Sequence, residues 1–370
     1  MPTPLTSPAI RSRRLNAREK EDFAAELDSL RKRVMSELGV REATYIRKVQ
    51  AAVRYSEIAG RGTLLLGWLP PFWLAGTAAL TWSKIVDNME LGHNVMHGQY
   101  DWLNEPELRG DTYDWDNACD KDAWRHYHNY VHHTFTNVVG KDRDVGYGIL
   151  RLFPEQKWQP THLLQPVQAM LLALFFQWGV AFHDLELEQA VAGKKRWRDV
   201  VRQLPPVLRK AARQIGKDYV FFPILAGPSF LPVMLGNAGA NLGRNLWTFG
   251  IIFCGHFTAD AETFTEEELE QETRADWYLR QIKGSSNLEG EPWFHFMSGN
   301  LSHQIEHHLF PDMPAMRYAE VAEEVRDICE RYGQHYNTGS FRKQFGSVVG
   351  RIFRYALPGG KHAESAAAAH

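Results

Sequence analysis

Apolar and polar positions are strongly segregated along the chain. Four runs contain no Asp, Glu, Lys or Arg, and they cover residues 63–83, 162–183, 219–243 and 245–259. A helix of about 20 apolar residues can cross a bilayer, and tryptophan is enriched where such helices meet the membrane surface. Several tryptophans lie in or beside these runs. The pattern therefore predicts membrane helices, because the alternative, core helices of a soluble protein, rarely needs uncharged runs of this length.

The charged segments outside the runs predict the membrane topology of the chain. Residues 1–60 are rich in charge, and residues 194–217 carry nine Lys and Arg but one acidic residue. Positively charged segments stay preferentially on the cytoplasmic side, so an even number of crossings is expected between them. The first run is interpreted as a short hairpin with its apex at Pro70–Pro71. Runs three and four are interpreted as a second hairpin turning near 236–243, and 162–183 as an interfacial helix.

These expectations define a fold class and three regions. We predict an all-α membrane protein with two transmembrane hairpins, or about four spans, an interfacial helix and a cytoplasmic helical cap that carries the active site. Residues 1–60 form a disordered start followed by an amphipathic cytoplasmic segment. Residues 61–315 form the membrane core, and residues 316–370 a cytoplasmic helical segment with a tail. The mean hydropathy of −0.39 is then an average over two different populations.

Overall charge and cysteine content exclude several classes of protein. The chain has 42 basic and 44 acidic residues, whereas general nucleic-acid binding needs a basic excess. Its three cysteines are far apart and show no CxxC spacing, which argues against a disulfide scaffold and against a thiolate zinc site. No apolar segment follows the early arginines, so a signal peptide is not expected.

Ten of the 16 histidines are clustered near the ends of the apolar runs. They occur in HNVMH (93–97), in HYHNYVHH (126–133), in HQIEHH (303–308) and, singly, at His256. On a helix, residues four apart project from one face, so each cluster can offer two or three imidazoles to one point. Eight or more ring nitrogens are too many for one metal and suit two metals with four or five ligands each. Imidazole binds Fe, Zn, Cu and Ni, and under the expected topology all four sites lie at the cytoplasmic face.

Three motifs resemble the integral-membrane fatty acid desaturase family over residues 60–315. They are HNVMH, HNYVHH and QIEHHLFP, and Gln304 at the start of the last resembles front-end and bacterial acyl desaturases. The segments GHNVMHGQYDW and NLSHQIEHHLFPDMP are particularly similar to actinobacterial acyl-CoA desaturases. The resemblance implies two iron ions, O₂ as co-substrate and a supply of two electrons. It also implies that the product carries a new cis double bond in a long-chain fatty acyl substrate, which is expected to be acyl-CoA. The iron ligands that it implies are His93, His97, His128, His132, His133, His256, His307 and His308.

Some site residues stay open at this point. Either His303 or Gln304 can fill the first position of the third motif, and the second motif has three residues between His128 and the histidine pair. A ligating histidine usually gives its other N–H to a carboxylate or carbonyl. The candidates for a further ligand or for such a partner are His303, Gln304, His126, Asn300, Glu90 and Asp144.

The remaining expectations concern partners and rival functions. The chain lacks a dinucleotide-binding G-x-G-x-x-G, a Cys₄ iron–sulfur spacing and a cytochrome b5 motif, so a separate electron donor is expected, either a ferredoxin or a flavoprotein reductase. We expect a multi-pass protein of the cell (inner) membrane. The alternatives are a membrane di-iron hydroxylase of alkanes or lipids, a histidine-rich metal transporter and, third, a soluble zinc hydrolase.

Overall fold

The computed structural model describes residues 12–359, which fold mostly into helices. Before residue 195 the α-helices are α1 (Ala17–Ser36), α2 (Val40–Leu64), α3 (Pro70–Val86), α4 (Asn94–Met96), α5 (Lys121–Trp124), α6 (His133–Phe135), α7 (Gln165–Leu174), α8 (Phe176–His183) and α9 (Leu187–Val191). After it they are α10 (Trp197–Ile215), α11 (Phe222–Leu225), α12 (Phe230–His256), α13 (Glu266–Leu269), α14 (Arg274–Lys283), α15 (Pro292–Met297), α16 (Gln304–Leu309), α17 (Tyr318–Arg331) and α18 (Phe341–Ala356). The all-α class is thus confirmed apart from one small strand pair.

That pair joins distant parts of the chain beside the third histidine motif. Strands β1 (Asn287–Glu289) and β2 (Thr338–Ser340) run parallel, with Asn287 opposite Thr338. Three segments adopt the wider π-helix, and they are Asp87–His93, Arg125–His132 and Gly216–Phe221. Such segments are rare and frequently lie at functional sites, and the first two overlap the first two histidine motifs.

Helices α2, α3 and α12 pack closely through glycines. A Cβ added at Gly76 would lie 2.8 Å from Leu64 Cγ, and one at Gly236 would lie 2.9 Å from Leu64 Cδ2. At Gly243 an added Cβ would lie 2.6 Å from Thr81 Cγ2. Each glycine therefore allows a contact between helices that a larger residue would prevent.

This packing overturns one prediction made from the sequence. The turn expected near 236–243 does not exist, because α12 is one continuous helix of 27 residues from Phe230 to His256. Its glycines serve close packing against α3 instead of ending the helix. The first hairpin turns at residues 65–69, and Pro70 and Pro71 occupy the first turn of α3, where proline is well tolerated.

Within residues 12–359, no single helix combines the length and hydropathy expected of a membrane span. One bent pair, Pro160–Leu174 with Phe176–His183, meets those criteria jointly, and its two parts are inclined at 103°. This pair covers the run for which an interfacial helix is predicted.

Two apolar cores hold the histidine motifs in place. The first unites α1, α14, α16 and α17 around Phe23, Tyr278 and Phe310, all buried. The second joins α7, α12 and α18 around Phe253 and Val348. The first core thereby fixes α16, which carries the third motif, and the second fixes the carboxyl end of α12, which carries His256.

Candidate metal centre

The histidine motifs lie on helix segments that are not all regular α-helix. His93 ends the first π-helix, and His128 and His132 belong to the second. His256 is the last residue of α12, and His307 lies in α16. A π-helix closes its hydrogen bonds over five residues instead of four, so the ring positions depart from those of an ideal α-helix.

Eight imidazoles nevertheless converge on one buried volume. Ring centroids lie 4.6 Å apart for His93 and His97, and 4.7 Å apart for His132 and His256. In each of three sets of histidines, one ring nitrogen from every member lies within 4.8 Å of the others. The first set is His93, His97, His128 and His307; the second is His132, His256 and His308; the third is His133, His307 and His308. The first two sets lie side by side, with His133 between them, and each could hold a metal ion.

Six of the eight rings have an oxygen acceptor near Nδ1, which leaves Nε2 facing the cluster. These Nδ1 partners are Asn94 Oδ1 for His93 (3.2 Å), Asp144 Oδ2 for His128 (3.6 Å), Asp142 Oδ2 for His132 (3.0 Å), the Gly284 carbonyl for His256 (3.3 Å), Tyr318 Oη for His307 (3.3 Å) and Gln281 Oε1 for His308 (3.0 Å). Fixing Nδ1 selects the tautomer in which Nε2 carries the free lone pair. The Nε2 atoms of His93 and His128 accordingly lie 3.2 Å apart, and those of His256 and His308 lie 3.1 Å apart.

Several inward-facing nitrogens have no hydrogen-bond partner among the described residues. They include His97 Nε2, His307 Nε2 and both ring nitrogens of His133. Burying a polar atom without a partner costs free energy, and a metal ion would remove that cost. Burial lowers the pKa of His97, His133, His307 and His308, so these rings are neutral near pH 7. Neutral imidazole is the form that binds a metal, and imidazole ligands suit iron, zinc, copper and nickel.

The two candidates for the first position of the third motif lie in different surroundings. His303 stacks on His295, with ring centroids 4.6 Å apart, and belongs to none of the convergent sets. Gln304 Nε2 lies 2.9 Å from His256 Nε2, and Gln304 Oε1 is buried without a partner. An added Cβ at Gly255 would lie 2.9 Å from Gln304 Cδ, so that glycine gives the amide its room.

The other candidates divide into one that contacts the cluster and three that do not. Asp144 lies 3.6 Å from His128 Nδ1 through Oδ2, and 3.3 Å from His183 Nε2 through Oδ1. Glu90 accepts hydrogen bonds from Asn300 Nδ2 (2.9 Å) and Tyr45 Oη (2.6 Å), and among the described residues its carboxylate makes no hydrogen bond to the eight rings. His126 is exposed, stacks on Tyr130 and meets Tyr127 edge to face.

Sequence reasoning missed most of the groups that orient the rings. Asp142 lies ten residues after His132, in a loop with no recognisable motif. Gln281 in α14 lies 27 residues before His308, and Tyr318 in α17 lies 11 residues after His307. The sequence holds no signal for these partners beyond the general rule that ligating histidines need them.

A cavity of about 60 Å³ adjoins the cluster. Arg244, Thr248, Ile252 and His256 line it at intervals of four residues, so one face of α12 forms a wall that is about 18 Å long at 1.5 Å per residue. Apolar side chains of α8, such as Phe176 and Val180, contribute to the lining. The row of α12 residues and the apolar side chains of α8 suit a chain-like apolar ligand.

Comparison with known proteins gives consistent matches. A sequence profile described as "Fatty acid desaturase" matches residues 47–340. The NADPH-dependent stearoyl-CoA 9-desaturase of Mycobacterium tuberculosis is 43% identical over 342 residues, which cover 91% of this chain and 80% of that protein. The sn-1 linoleoyl-lipid 6-desaturase of Synechocystis sp. is 28% identical over 283 residues, covering 72% of this chain and 75% of that protein. An acyl-lipid (8-3)-desaturase of Mortierella alpina is 22% identical over 307 residues, which cover 76% of this chain and 68% of that protein.

Proposed function

The chain belongs to the fatty acid desaturase family, and from that premise we propose that it introduces a cis double bond into a long-chain acyl group carried on coenzyme A. The observation that carries the proposal is the convergence of eight imidazoles in neighbouring sets beside a cavity that four of them line. As a desaturase the protein is an oxidoreductase. The acyl-CoA substrate is favoured over a lipid-linked one because the 43% identical relative is named for stearoyl-CoA.

Two sets of residues would hold two iron ions. His93, His97, His128 and His307 would bind one, and His132, His256 and His308 would bind the other. His133 lies between the sets and can serve either. Iron bound there would supply the activation of O₂ that a redox-inert metal such as zinc cannot provide.

The overall reaction defines what the protein must deliver. One –CH₂–CH₂– unit, O₂, two electrons and two protons give one –CH=CH– unit and two waters. The cavity would hold the acyl chain extended beside the imidazoles and keep water from the reacting methylenes, as the apolar Phe176, Val180 and Ile252 suggest. Asp142, Gln281 and Tyr318 would hold the rings in fixed orientations. Two electrons would come from a separate ferredoxin or flavoprotein reductase.

Exposed apolar side chains support a membrane location. They are concentrated from the α2–α3 turn into the start of α3, at residues 221–225 and in the first half of α12. Examples are Leu66, Trp68, Leu74, Phe221, Ile224, Leu225, Leu231 and Leu235, each at least 45% exposed. Large exposed apolar patches mark membrane or protein interfaces. We propose a multi-pass protein of the cell membrane, with residues 61–315 as the embedded core and the imidazole cluster on the cytoplasmic side. Residues 1–60 and 316–370 would flank this core.

Position-resolved fatty acid analysis tests the reaction. The full chain would be expressed with ferredoxin and reductase in a host of known lipid composition, and a new cis double bond is expected. A hydroxylated product would favour the alternative di-iron hydroxylase, and unchanged lipids despite the redox partners would overturn the proposal. Metal analysis should give two irons per chain, whereas active protein holding zinc alone would contradict the iron assignment.

The metal transporter is less consistent with the geometry. Transport sites usually lie midway along broken membrane helices. Here His256 is the terminal residue of α12, and the third motif lies on the short α16, which packs in the core formed with α1, α14 and α17.

A further inference from the structure

Helix α10 presents three distinct faces. One face is buried against the protein through Val200, Val207, Lys210 and Gln214, which are 3–7% exposed. Lys210 Nζ donates to Asp114 Oδ1 at 2.6 Å, and Gln214 Nε2 donates to Asp116 Oδ1 at 2.6 Å. These contacts fix the helix to the protein, so its other two faces have defined directions.

The second face is apolar and exposed. Trp197, Val201, Leu208 and Ile215 are 57%, 59%, 60% and 47% exposed. At 100° per residue these four positions fall within a stripe about 40° wide. Beyond Ile215 the exposed apolar surface continues into α11, which leads to the apolar first half of α12. An apolar stripe of this kind needs a partner other than water.

The third face is basic and lies next to the apolar stripe. Arg198 and Arg202 have side chains 62% and 76% exposed, and each is 3.9 Å from the single carboxylate of Asp199. Arg209 is exposed and forms no ion pair with any residue between 12 and 359. Segment 194–217 holds nine basic residues and one acidic residue in a chain whose formal net charge is −2.

We infer that α10 lies in the plane of the membrane surface and binds anionic phospholipid head groups. Its apolar stripe would enter the boundary of the acyl chains, and its basic stripe would contact phosphates, which is how interfacial helices bind anionic bilayers. A soluble polyphosphate would match the basic stripe but would leave Trp197, Val201 and Leu208 in water. The inference rests on the proposed membrane location and adds a lipid preference to it.

The same contacts connect α10 to the cavity. Lys210 Nζ also donates to the carbonyl of Trp115 at 2.9 Å, and Trp115 and Asn117 line the cavity. Anionic lipid held by α10 would therefore stabilise a segment of the cavity wall. Activity is expected to rise with the anionic lipid content of the bilayer.

A single reporter label tests the position of the helix. The three native cysteines are buried, so a cysteine introduced as Val201→Cys in the full chain is the accessible thiol for a fluorescent label. In vesicles of phosphatidylcholine with phosphatidylglycerol, a quencher attached to the lipid chains should quench the label and a water-soluble quencher should not. Quenching mainly from water, or protection that requires an added protein, would overturn the inference. This readout needs no desaturation, so it is independent of the proposed reaction.

A charge variant tests the lipid preference. The triple variant Arg198→Gln/Arg202→Gln/Arg209→Gln should lose the increase in lipid quenching and in activity that phosphatidylglycerol gives the wild type. The matched control, Arg14→Gln/Arg18→Gln/Lys32→Gln, removes three exposed charges at or near α1 and should keep both increases. An unchanged response in the α10 variant, or competition by free coenzyme A against the lipid effect, would contradict binding to anionic lipid.

Discussion

The imidazole of His132 and the carboxylate of Asp142 form a buried pair, with Nδ1 3.0 Å from Oδ2. The same oxygen accepts the backbone N–H of Asn137 at 2.8 Å, so the carboxylate is itself held in place. Burial opposes a charge on His132, but Asp142 and then Asp144 outweigh it and raise the pKa of His132. The pair fixes the orientation in which Nε2 of His132 faces His256 and His308.

Replacing Asp142 by asparagine should weaken metal binding without unfolding the protein. Loss of such a carboxylate partner typically lowers metal affinity by about 10- to 100-fold. We expect Asp142→Asn to retain less iron after dialysis against a chelator and to lose activity in proportion. Metal analysis by mass spectrometry measures the first effect, and product analysis the second. The exposed Asp260→Asn is the control, and equal iron retention in both variants would contradict the role of Asp142.

The third motif gives a prediction that separates neighbouring residues. His308→Ala should lose iron and activity, because His308 belongs to two of the convergent sets. His303→Ala should retain close to two irons per chain, since its ring stacks on His295 outside those sets. Metal content per folded chain decides the matter, and loss of iron in the His303 variant would make that residue a ligand.

Much of the fold follows from local sequence, but not its long helices. Pro70 and Pro71 begin α3, as the break in the first apolar run indicates within a few residues. The glycines of α12 have the composition of a turn, yet Gly236 and Gly243 face Leu64 and Thr81, and helix packing retains them in one continuous helix. The helix continues because of this contact between helices, and the contact cannot be predicted from the local sequence.

The histidines that converge at the candidate site were predictable from the sequence, but the residues that orient their rings were not. Histidine spacing is a local signal, so the residues that converge could be named from three motifs and His256. Partners such as Gln281 and Tyr318 come from helices that reach the cluster only through the tertiary fold. Glu90 and Asn300, both close to the motifs in sequence, bind each other instead.

The cavity predicts a change in chain-length preference. Thr248 lines the cavity, is buried and has a hydroxyl without a partner. Thr248→Phe should fill that space and reduce turnover of stearoyl-CoA more than turnover of a shorter acyl-CoA, with unchanged iron content. Apolar pockets discriminate chain lengths by roughly 10-fold or more per misfit group. Leu242→Phe, on an exposed part of α12, is the matched control, and an equal loss for all chain lengths would exclude a direct steric effect.

Glu306 predicts a pH-dependent difference in stability. Burial raises the pKa of its carboxyl to about 7 from 4.5, despite hydrogen bonds from Asn287 and Tyr336 that favour the carboxylate. The folded state therefore favours the protonated form, and this stabilisation is full below pH 4.5 and is lost as pH rises through about 7. Relative to Glu306→Gln, the wild type should lose on the order of 3 kcal/mol of unfolding free energy as the pH rises from the lower to the higher of these pKa values.

Denaturant unfolding of the metal-free protein in detergent, at several pH values, measures that difference. The exposed Glu323→Gln on α17 serves as the control, and its free energy of unfolding should differ from that of the wild type by the same amount at every pH. A pH-independent difference between wild type and Glu306→Gln would show that the carboxyl titrates normally.

The distances along the chain between the rings and their Nδ1 partners have a consequence for biosynthesis. The eight rings span residues 93–308, and the hydroxyl that orients His307 belongs to Tyr318 in α17. A nascent chain still lacking α16 and α17 holds only part of both ligand sets, and the first core cannot close around it. Iron would therefore enter after synthesis has passed α17, so cellular iron supply would act on finished chains and not on the translating ribosome.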